Sequence, residues 1–221
     1  MAVVPPDRSG TEAPTVSRRA RRMREAPRRA GDVNEGLLLD AARELVLSGE
    51  FHDTPIGQIA QRAGISRQSF YFYFKSREEL LAQLVTETLY AGQPWRETLY
   101  DHDASDPPGV IRAVVWGTIA MWQRSPEILR GAVELGPRAP TVWSHWQAAV
   151  EETAGFFSDL IVTSTKHDEL RDPEAARQMM VSLIWTLERN CYMHVTTPGV
   201  DTDDTLGARL SDILIRALGL E

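Results

Sequence analysis

The sequence contains a single cysteine, Cys191, and no run of 18 or more uncharged apolar residues. One cysteine excludes an internal disulfide framework and any metal site built from several cysteines. We expect Cys191 to be a buried, small hydrophobic residue. The N-terminus carries arginines with no apolar stretch after them, so neither a membrane span nor a signal peptide is predicted. We therefore expect a cytoplasmic protein without a membrane partner.

Catalytic motifs are also lacking. The chain has no GxSxG elbow, no HExxH pair, no cysteine beside a partnered base and no glycine-rich loop that could cradle a phosphate. His145, His167 and His194 are scattered, and we expect each of them to lie at the surface or to be hydrogen-bonded rather than to bind a metal. We therefore predict a protein that is not an enzyme and that has neither a cofactor nor a metal site.

Positive charge is scarce over most of the chain and concentrated near its beginning. Residues 1–77 contain 13 Lys and Arg against 9 Asp and Glu, whereas residues 78–221 contain 11 against 22. The overall charge of −7 therefore combines a basic part that can approach phosphates with an acidic part that repels them. All six tryptophans follow residue 94. This asymmetry predicts two functional units, of which the first faces DNA.

The segment 1–30 differs from the rest of the chain in composition. It contains four prolines and has seven arginines between Arg18 and Arg29, with no leucine, isoleucine or aromatic side chain. Such a segment cannot form a core, so we predict a disordered arm. Two possibilities remain open: the arm has no specific role, or it adds affinity for the DNA backbone and reaches into a minor groove.

Apolar residues recur at helical spacing along the remaining chain, which predicts an all-α fold of about nine helices. The first helix is predicted over residues 33–48. Thr54 as N-cap and Pro55 in the first turn open a short second helix, which Gly64 ends. Ser66 caps a third helix that runs through the aromatic residues 70–74.

A longer fourth helix follows. Ser76 and Glu79 have the spacing of a capping box at its start, and Gly92 to Pro94 are expected to stop or kink it. No segment shows the alternating pattern of a strand. Five further helices are predicted near residues 107–124, 126–136, 139–166, 173–195 and 203–218.

Two short helices joined by a glycine turn are typical of a helix-turn-helix, in which the second helix enters the major groove of DNA. The string GISRQSFYFYFKSREELL, residues 64–81, resembles the signature of the TetR family of repressors, and TPIGQIAQRAGIS, residues 54–66, resembles the preceding helix and turn. The resemblance covers residues 33–90, and within the family it is closest to the ethionamide-resistance type, which also has an FYFYF run. Tyr73 departs from the pattern, since many members have histidine there.

The third helix carries the predicted DNA contacts. Arg67 and Gln68 lie in its first turn, and their side chains suit guanine and adenine, so we predict that they read bases. Phe70 and Phe74, four residues apart, are expected to pack into the domain, while the side of Phe72 is left open. Other donors are predicted to bind phosphates and to position the protein: Thr54, Ser69, Tyr71, Tyr73, Lys75 and Arg77.

The C-terminal part is larger than DNA binding requires and rich in tryptophan. Aromatic residues lie on stripes of the helices near 107–124 and 139–166, and they are compatible either with plain packing or with a pocket between helices. In WTLERNCYMHV, residues 185–195, the Glu188-Arg189 pair resembles the ethionamide-type repressors, and we expect salt bridges to another helix rather than between the two. The predicted lining of the pocket is Trp116, Ile119, Trp122, Trp143, Trp146, Val150, Phe157, Trp185 and Asn190.

The resemblance implies a homodimer formed by the last two long helices, with a palindromic operator in double-stranded DNA as the partner. We expect the apolar face of this interface to consist of Leu183, Leu187, Ile213, Leu214 and Ala217. We divide the chain into the arm 1–30, a DNA-binding domain 31–77 and a ligand-binding and dimerisation domain 78–221.

The function expected from this organisation is a regulator, most simply a repressor, that a small apolar or aromatic effector releases from DNA by changing the spacing of the recognition helices. The alternative is a DNA-binding regulator without a small-molecule ligand, controlled by a partner protein or by its own abundance.

Overall fold

The computed structural model describes residues 30–91, 106–135, 139–197, 199 and 201–221. These residues form nine α-helices, one 3-10 helix and no strand, so the predicted all-α fold is confirmed. The 3-10 helix, Asp168–Arg171, was not predicted. The α-helices, in chain order, are α1 Ala30–Leu47, α2 Ile56–Arg62, α3 Arg67–Tyr73, α4 Arg77–Ala91, α5 Pro107–Arg124, α6 Pro126–Leu135, α7 Pro140–Ser164, α8 Pro173–Thr196 and α9 Asp203–Ala217.

The first three helices pack around a small apolar core. Phe70 and Phe74 point into it, as predicted, beside Leu45 and Ile59. Burying large aromatic side chains stabilises so small a unit strongly, because each removes a large apolar area from water. Gly64, between α2 and α3, has a φ of 70°. That left-handed conformation suits glycine and allows the sharp turn between the two helices.

The caps of the short helices differ in part from the prediction. Ser66 caps α3 and accepts a hydrogen bond from the Ser69 N–H at 3.0 Å. Thr54 does not cap α2: the N-cap is Pro55, which makes no side-chain cap bond. The Thr54 hydroxyl donates instead to the Glu50 carbonyl at 2.8 Å, inside the loop after α1. The prediction for Thr54 was wrong because a tight backbone turn, Glu50 to Thr54, offers this nearer acceptor.

The start of α4 follows the capping-box prediction on one side only. The Glu79 N–H donates to Ser76 Oγ at 3.2 Å. The Glu79 carboxylate accepts from the Lys75 N–H at 2.6 Å, whereas a complete box would use the N–H of Ser76. Two polar groups at the start of the helix are still satisfied in this way.

Helices α4 to α9 form the larger part of the structure. α8 packs along α7 and also contacts α5 and α6, while α9 packs on α5. α4 contacts α1 on one side and α6 and α7 on the other, and it therefore joins the core of the short helices to the larger bundle. The predicted boundary between residues 77 and 78 lies at the start of this shared helix and stays a prediction.

The segment after α7 shows why that helix is shorter than predicted. At Thr165 the backbone becomes extended, and the Thr165 hydroxyl donates to the Leu218 carbonyl at 2.8 Å. The Lys166 N–H donates to the carbonyl of Gly219 at 2.8 Å. Contacts with the end of the chain thus replace a further helical turn.

Some predicted features lie outside the described residues: the arm 1–30 except Ala30, and the stop or kink at Gly92 to Pro94. Within the described residues, no helix is long and apolar enough to cross a membrane.

Candidate nucleic-acid interface and effector cavity

The first turn of α3 presents two polar side chains to solvent. Arg67 and Gln68 are both exposed, and they are held there because Phe70 and Phe74 anchor the opposite face of α3 in the core. The Arg67 guanidinium lies 5.9 Å from the centre of the Tyr71 ring, a cation–π distance that pre-orders a long side chain. The geometry leaves both predicted base-reading groups free to meet an acceptor or donor in a groove.

The other predicted contacts on α3 differ in their surroundings. Tyr71 and Lys75 are exposed. Tyr73 is half-buried, and its hydroxyl oxygen accepts from the Asn34 amide of α1 at 3.2 Å, which leaves the hydroxyl proton available for a phosphate. Ser69 is half-buried, and its hydroxyl lies 2.8 Å from that of Ser66. Asn34 is a contribution from α1 that sequence reasoning missed.

Two side chains predicted to contact phosphates donate hydrogen bonds to the protein's own carbonyls. Thr54 is buried, with its hydroxyl proton donated to Glu50. Arg77 donates to the carbonyl of His52 and, at 3.5 Å, to that of Thr54. It therefore clamps the loop between α1 and α2 to the start of α4. In this structure Thr54 supports the interface from a buried position, whereas Arg77 is partly exposed and holds the loop at the edge of that surface.

Phe72 completes the exposed face of α3. It is 83% exposed, although the aromatic residues on either side of it in the FYFYF run are much less exposed. Two positions along a helix correspond to a rotation of about 200°, so a residue between the buried Phe70 and Phe74 must point outward. This spacing in the sequence could have indicated that Phe72 faces solvent. The exposed ring is an apolar group beside the polar groups of the surface.

A cavity of about 40 Å³ lies between α4, α5, α7 and α8. Two of the nine predicted lining residues, Trp146 and Val150, belong to its wall. The rest of the wall is mostly aliphatic, with three polar residues in addition to Trp146. Its full lining is Leu89, Val114, Thr118, Met121, Trp146, Ala149, Val150, Thr153, Ile184, Leu187 and Glu188.

The other predicted aromatic and apolar residues are divided between core and surface. Ile119, Trp122 and Phe157 are buried but do not line the cavity. Trp116 is 38% exposed and packs against Gly207 of α9, where a Cβ would have no room. These four residues hold the bundle together, which is the plain packing role left open above.

Trp143, Trp185 and Asn190 lie away from the cavity. Trp143 is 41% exposed, and its ring stacks on that of Trp185 with centres 5.0 Å apart. Asn190 donates to the Thr186 carbonyl at 2.8 Å and faces a separate depression near the ends of α8 and α9. These three residues therefore do not line the cavity, contrary to the expectation. Residues on one stripe of a helix face several neighbouring helices and need not share a single cavity.

Glu188 lines the cavity, and sequence reasoning did not assign it there. Its carboxylate accepts a hydrogen bond from the Trp122 indole N–H at 2.7 Å. The expected salt bridge to another helix is absent from the described ion pairs. Burial raises the pKa of Glu188 to about 7, while the bond from Trp122 acts in the opposite direction. A carboxyl group is therefore held in an apolar environment by one neutral donor.

Three further polar groups line the same cavity. The hydroxyls of Thr118 and Thr153 donate to carbonyls one turn earlier in their own helices, at 2.9 Å and 2.7 Å. The indole nitrogen of Trp146 is buried and, among the described residues, has no hydrogen-bond partner. The wall thus combines oxygen acceptors with one unused N–H donor.

The residues assigned to a dimer face are only partly available. Leu183, Leu187 and Leu214 are buried within the chain, and Leu187 lines the cavity, so these three cannot supply an outer face. Ile213 is 44% exposed, and Met193, which was not assigned, is 47% exposed. Of the predicted face, Ile213 is therefore exposed and Ala217 is half-buried, and Met193 adds an exposed apolar side chain on α8.

The remaining titratable candidates have ordinary structural contacts. His145 lies 3.1 Å from the Thr86 hydroxyl, and His194 lies 2.7 Å from the Asp203 carboxylate. His167 lies 3.1 Å from the Arg216 carbonyl. Cys191 is buried, as expected. In the part of the chain that the structure describes, no three His, Cys, Asp or Glu residues group as metal ligands.

Residues 38–84 match the family model described as bacterial regulatory proteins, tetR family. The HTH-type transcriptional regulator EthR of Mycolicibacterium smegmatis is 25% identical over 202 residues, which cover 90% of this chain and 93% of that protein. The relation to the ethionamide-resistance type is thus distant. The matched segment contains α2, α3 and the start of α4, where the exposed polar face lies.

Two solved structures share the fold. A transcriptional regulator from Rhodococcus sp. Rha1 has a TM-score of 0.61 at 15% identity, over 86% of this chain and 96% of that one. Thermus thermophilus FadR, a repressor solved in complex with lauroyl-CoA, has a TM-score of 0.61 at 18% identity, over 83% and 92% of the two chains. The similarity extends through the C-terminal helices, beyond the segment that matches the family model.

Proposed function

Because the chain belongs to the TetR family of transcriptional regulators, we propose that it represses genes by binding a palindromic operator as a homodimer. A small effector with a mainly apolar body enters the cavity between α4, α5, α7 and α8 and releases the DNA. The protein acts in the cytoplasm, where the operator DNA is.

The observation that carries the DNA-binding part is the division of α3 into two faces. Phe70 and Phe74 are buried, whereas Arg67, Gln68 and Phe72 are exposed. A short helix fixed by its apolar face and polar at its outer first turn has the form of a recognition helix. Arg67 and Gln68 read base edges, and the exposed ring of Phe72 is suited to contact a thymine methyl group.

Phosphate contacts come from the residues around this face. Tyr71, Tyr73 and Lys75 retain a donor that can reach the backbone of DNA, and Ser69 lies beside them. These contacts fix the register of the protein on the duplex and carry no sequence information directly. Thr54 and Arg77 act indirectly, because their contacts position the loop that precedes α2.

α4 is the connection between the two sites. At its start Arg77 holds the loop before α2, and Leu89, near its end, lines the cavity. Twelve residue steps lead from Arg77 to Leu89, which corresponds to about 18 Å along the helix. Displacement of α4 by a bound molecule therefore changes the orientation of the short helices and, in a dimer, the distance between the two recognition helices.

The size of the cavity determines how an effector acts. A volume of about 40 Å³ is far below the roughly 300 to 1,000 Å³ of sites for drug-sized ligands. An effector must therefore move lining side chains and separate the helices, so it binds the open arrangement better than the closed one. That difference in affinity is the condition for a ligand to shift the equilibrium away from the DNA-binding state. The complex of FadR with lauroyl-CoA is consistent with an effector that has an apolar chain.

Dimerisation brings two copies of α3 to one face. The exposed side chains of Met193 on α8 and Ile213 on α9 are apolar anchors for such an interface. A two-fold axis between copies places the half-sites about 34 Å apart or somewhat more, which makes the operator an inverted repeat.

Selection of DNA sites from a random library by the purified protein tests the DNA-binding proposal. We expect an inverted repeat, bound at physiological salt at least about a hundredfold more tightly than scrambled DNA. Equal and steeply salt-dependent binding of both sequences would contradict it, because counterion release alone produces that behaviour.

The selected operator then tests the effector. Apolar compounds are titrated into the complex, and release is followed by fluorescence anisotropy of labelled DNA. Release by a compound that also binds the free protein supports the proposal. If compounds bind in the cavity with equal affinity to free and operator-bound protein, the effector role fails, and control by a partner protein or by abundance takes its place.

A further inference from the structure

We infer that the effector of this cavity carries a protonated amine on its apolar body. The amine forms an ion pair with Glu188 and donates hydrogen bonds to the hydroxyl oxygens of Thr118 and Thr153. The inference rests on the proposed function, since it specifies the chemistry of the effector for the same cavity. Two observations carry it: the balance of donors and acceptors in the wall and the absence of a cationic partner for Glu188.

The polar wall of the cavity is rich in acceptors. The Thr118 and Thr153 hydroxyls use their protons on carbonyls of their own helices, so each can offer only oxygen lone pairs to a ligand. Glu188 uses one carboxylate oxygen to accept from Trp122 and retains the other. An ammonium group has three N–H donors and no acceptor, which matches these three side chains in number and in type.

The charge of Glu188 is not balanced within the described part of the protein. Its only hydrogen-bond partner there is the neutral indole of Trp122, and it is the one titratable residue among the eleven that line the cavity. A buried carboxylate without a cation is costly, and it either takes up a proton or binds a cation. A positively charged ligand supplies the missing partner.

Charged groups on the neighbouring elements do not fill this role. On α6, which packs against α8, Glu127, Arg130 and Glu134 are exposed. The α4, α5 and α7 residues of the wall carry no titratable group.

On α8 itself, the Arg189 guanidinium lies over the Tyr192 ring, 5.1 Å from its centre. Cys191 is the near titratable neighbour, and burial together with the charge of Glu188 raises the pKa of its thiol. The thiol therefore stays neutral and adds no second negative charge beside the carboxylate, and it has no cationic form that could balance it.

Trp146 defines a second polar point of the ligand. Its indole N–H is buried in the wall and has no described partner, which is unfavourable by about 1 to 3 kcal/mol for a donor left unsatisfied. An ether, hydroxyl or carbonyl oxygen on the same molecule removes that penalty. The indole of Trp146, which lines the cavity, provides aromatic surface that attracts a cation.

A neutral ligand that accepts hydrogen bonds is the competing chemistry. It would require Glu188 to be protonated, and it would leave the two threonine oxygens without donors. The two chemistries predict opposite effects of pH. An amine binds the ionised carboxyl group, so its affinity rises as the pH passes the Glu188 pKa of about 7. A neutral acceptor binds the protonated group, and its affinity falls over the same range.

Calorimetry of the full chain with three matched probes, phenylbutylamine, phenylbutanol and phenylbutyrate, tests the inference. At about pH 8 we expect the amine to bind at least about tenfold more tightly than the alcohol, as for a charge-assisted hydrogen bond, and the acid to bind weakest. From about pH 6 to pH 8 the affinity of the amine should rise several-fold, because Glu188 loses its proton in that range.

Variants identify the group responsible. Glu188→Gln should lower the affinity of the amine at least about tenfold and remove its pH dependence, while that of the alcohol changes little. Glu169→Gln, at an exposed carboxylate on the 3-10 helix, is the matched control and should leave all affinities unchanged. If the first variant does not fold, Thr118→Val provides a second test: it keeps the volume of the side chain and removes one hydroxyl acceptor, so it should weaken the amine several-fold and leave the alcohol much less affected.

The inference is overturned if the alcohol binds as tightly as the amine, if amine affinity falls as the pH rises, or if no probe binds. The proposed function has a separate readout, the anisotropy of labelled operator. If an amine binds through Glu188 but the operator stays bound, the inference holds and the effector role fails. If the alcohol releases the DNA, the effector role of the cavity holds and the inference of an amine effector fails.

Discussion

The DNA-facing helices and the cavity-bearing helices satisfy their polar groups in different ways. Around α1 to α3, the buried Thr54 has its carbonyl acceptor, and Arg77 is engaged by the loop. Among the described residues, the buried side-chain atoms that lack a hydrogen-bond partner are Trp146 Nε1 and Ser211 Oγ. Both lie in the C-terminal helices, where Glu188 is also buried without a cation.

This difference in hydrogen bonding indicates that the short helices adopt a single conformation. A fully satisfied core favours a single arrangement, which suits helices that must present Arg67 and Gln68 at fixed positions. Buried polar groups without partners reduce stability, and among the described residues they occur in the C-terminal helices, one of them at the wall of the cavity.

Phe70→Ala should destabilise the protein most, by about 3 to 5 kcal/mol, because it removes a fully buried ring from a small core. Chemical denaturation measures the change. Phe72→Ala is the matched control two positions away: its side chain is 83% exposed, so stability should change by less than about 0.5 kcal/mol. Equal losses in both variants would contradict the two-faced arrangement of α3.

Glu188→Gln should change how stability depends on pH. The unfolded carboxyl group loses its proton near its ordinary pKa of 4.5, whereas the folded one retains it up to about 7. Between these values the folded state binds more protons, so the wild type loses stability as the pH rises, by roughly 3 kcal/mol in total. The variant lacks this loss.

Denaturation midpoints of both proteins across that pH range measure the effect. Groups common to the two proteins cancel in the difference. A difference that does not vary with pH would show that Glu188 ionises as it does in an unfolded chain.

Arg67→Ala should reduce affinity for the selected operator by about 1 to 3 kcal/mol and relax the preference at one base position. Lys75→Ala is the comparison, since a phosphate contact should weaken all sequences about equally and reduce the salt dependence. Binding to matched and mismatched operators separates the two. Unchanged specific binding in the first variant would remove Arg67 from the base-reading set.

Ser211→Ala should stabilise the protein, by about 1 kcal/mol. The serine hydroxyl is buried in α9 without a described partner, and alanine removes that unsatisfied group with little loss of volume and with a better helix propensity. Thermal unfolding measures the gain. Destabilisation instead would mean that the hydroxyl has a partner in the assembled dimer.

Local signals in the sequence were sufficient for most of the helices. The predicted bounds of α5, 107–124, agree with the structure, and α8 and α9 differ by one residue at their C-terminal ends. Proline and capping residues mark these boundaries, and their effects reach only a few positions along the chain. The end of α7 was predicted two residues too late, because a contact with the end of the chain, 53 residues away, replaces its last turn.

The candidate sites divide along the same line. Exposure of Arg67 and Gln68 followed from their place opposite an apolar face, so the exposed polar face of α3 was largely predictable, while its contacts with DNA stay a prediction. For the cavity, only Trp146 and Val150 of nine predicted residues line the wall. A helical stripe tells which side of a helix is apolar, but it does not tell which neighbouring helix that side meets.

The sequence by itself determined the helix order, the family signature of residues 54–81 and the polarity of α3, because each depends on residues within a few turns of one another. Tertiary structure alone decided that Glu188 accepts a hydrogen bond from Trp122, 66 residues away, and that Arg77 holds the carbonyl of His52, 25 residues away. Such pairs form only when packing brings distant helices together, and the shape and charge of the cavity depend on that packing.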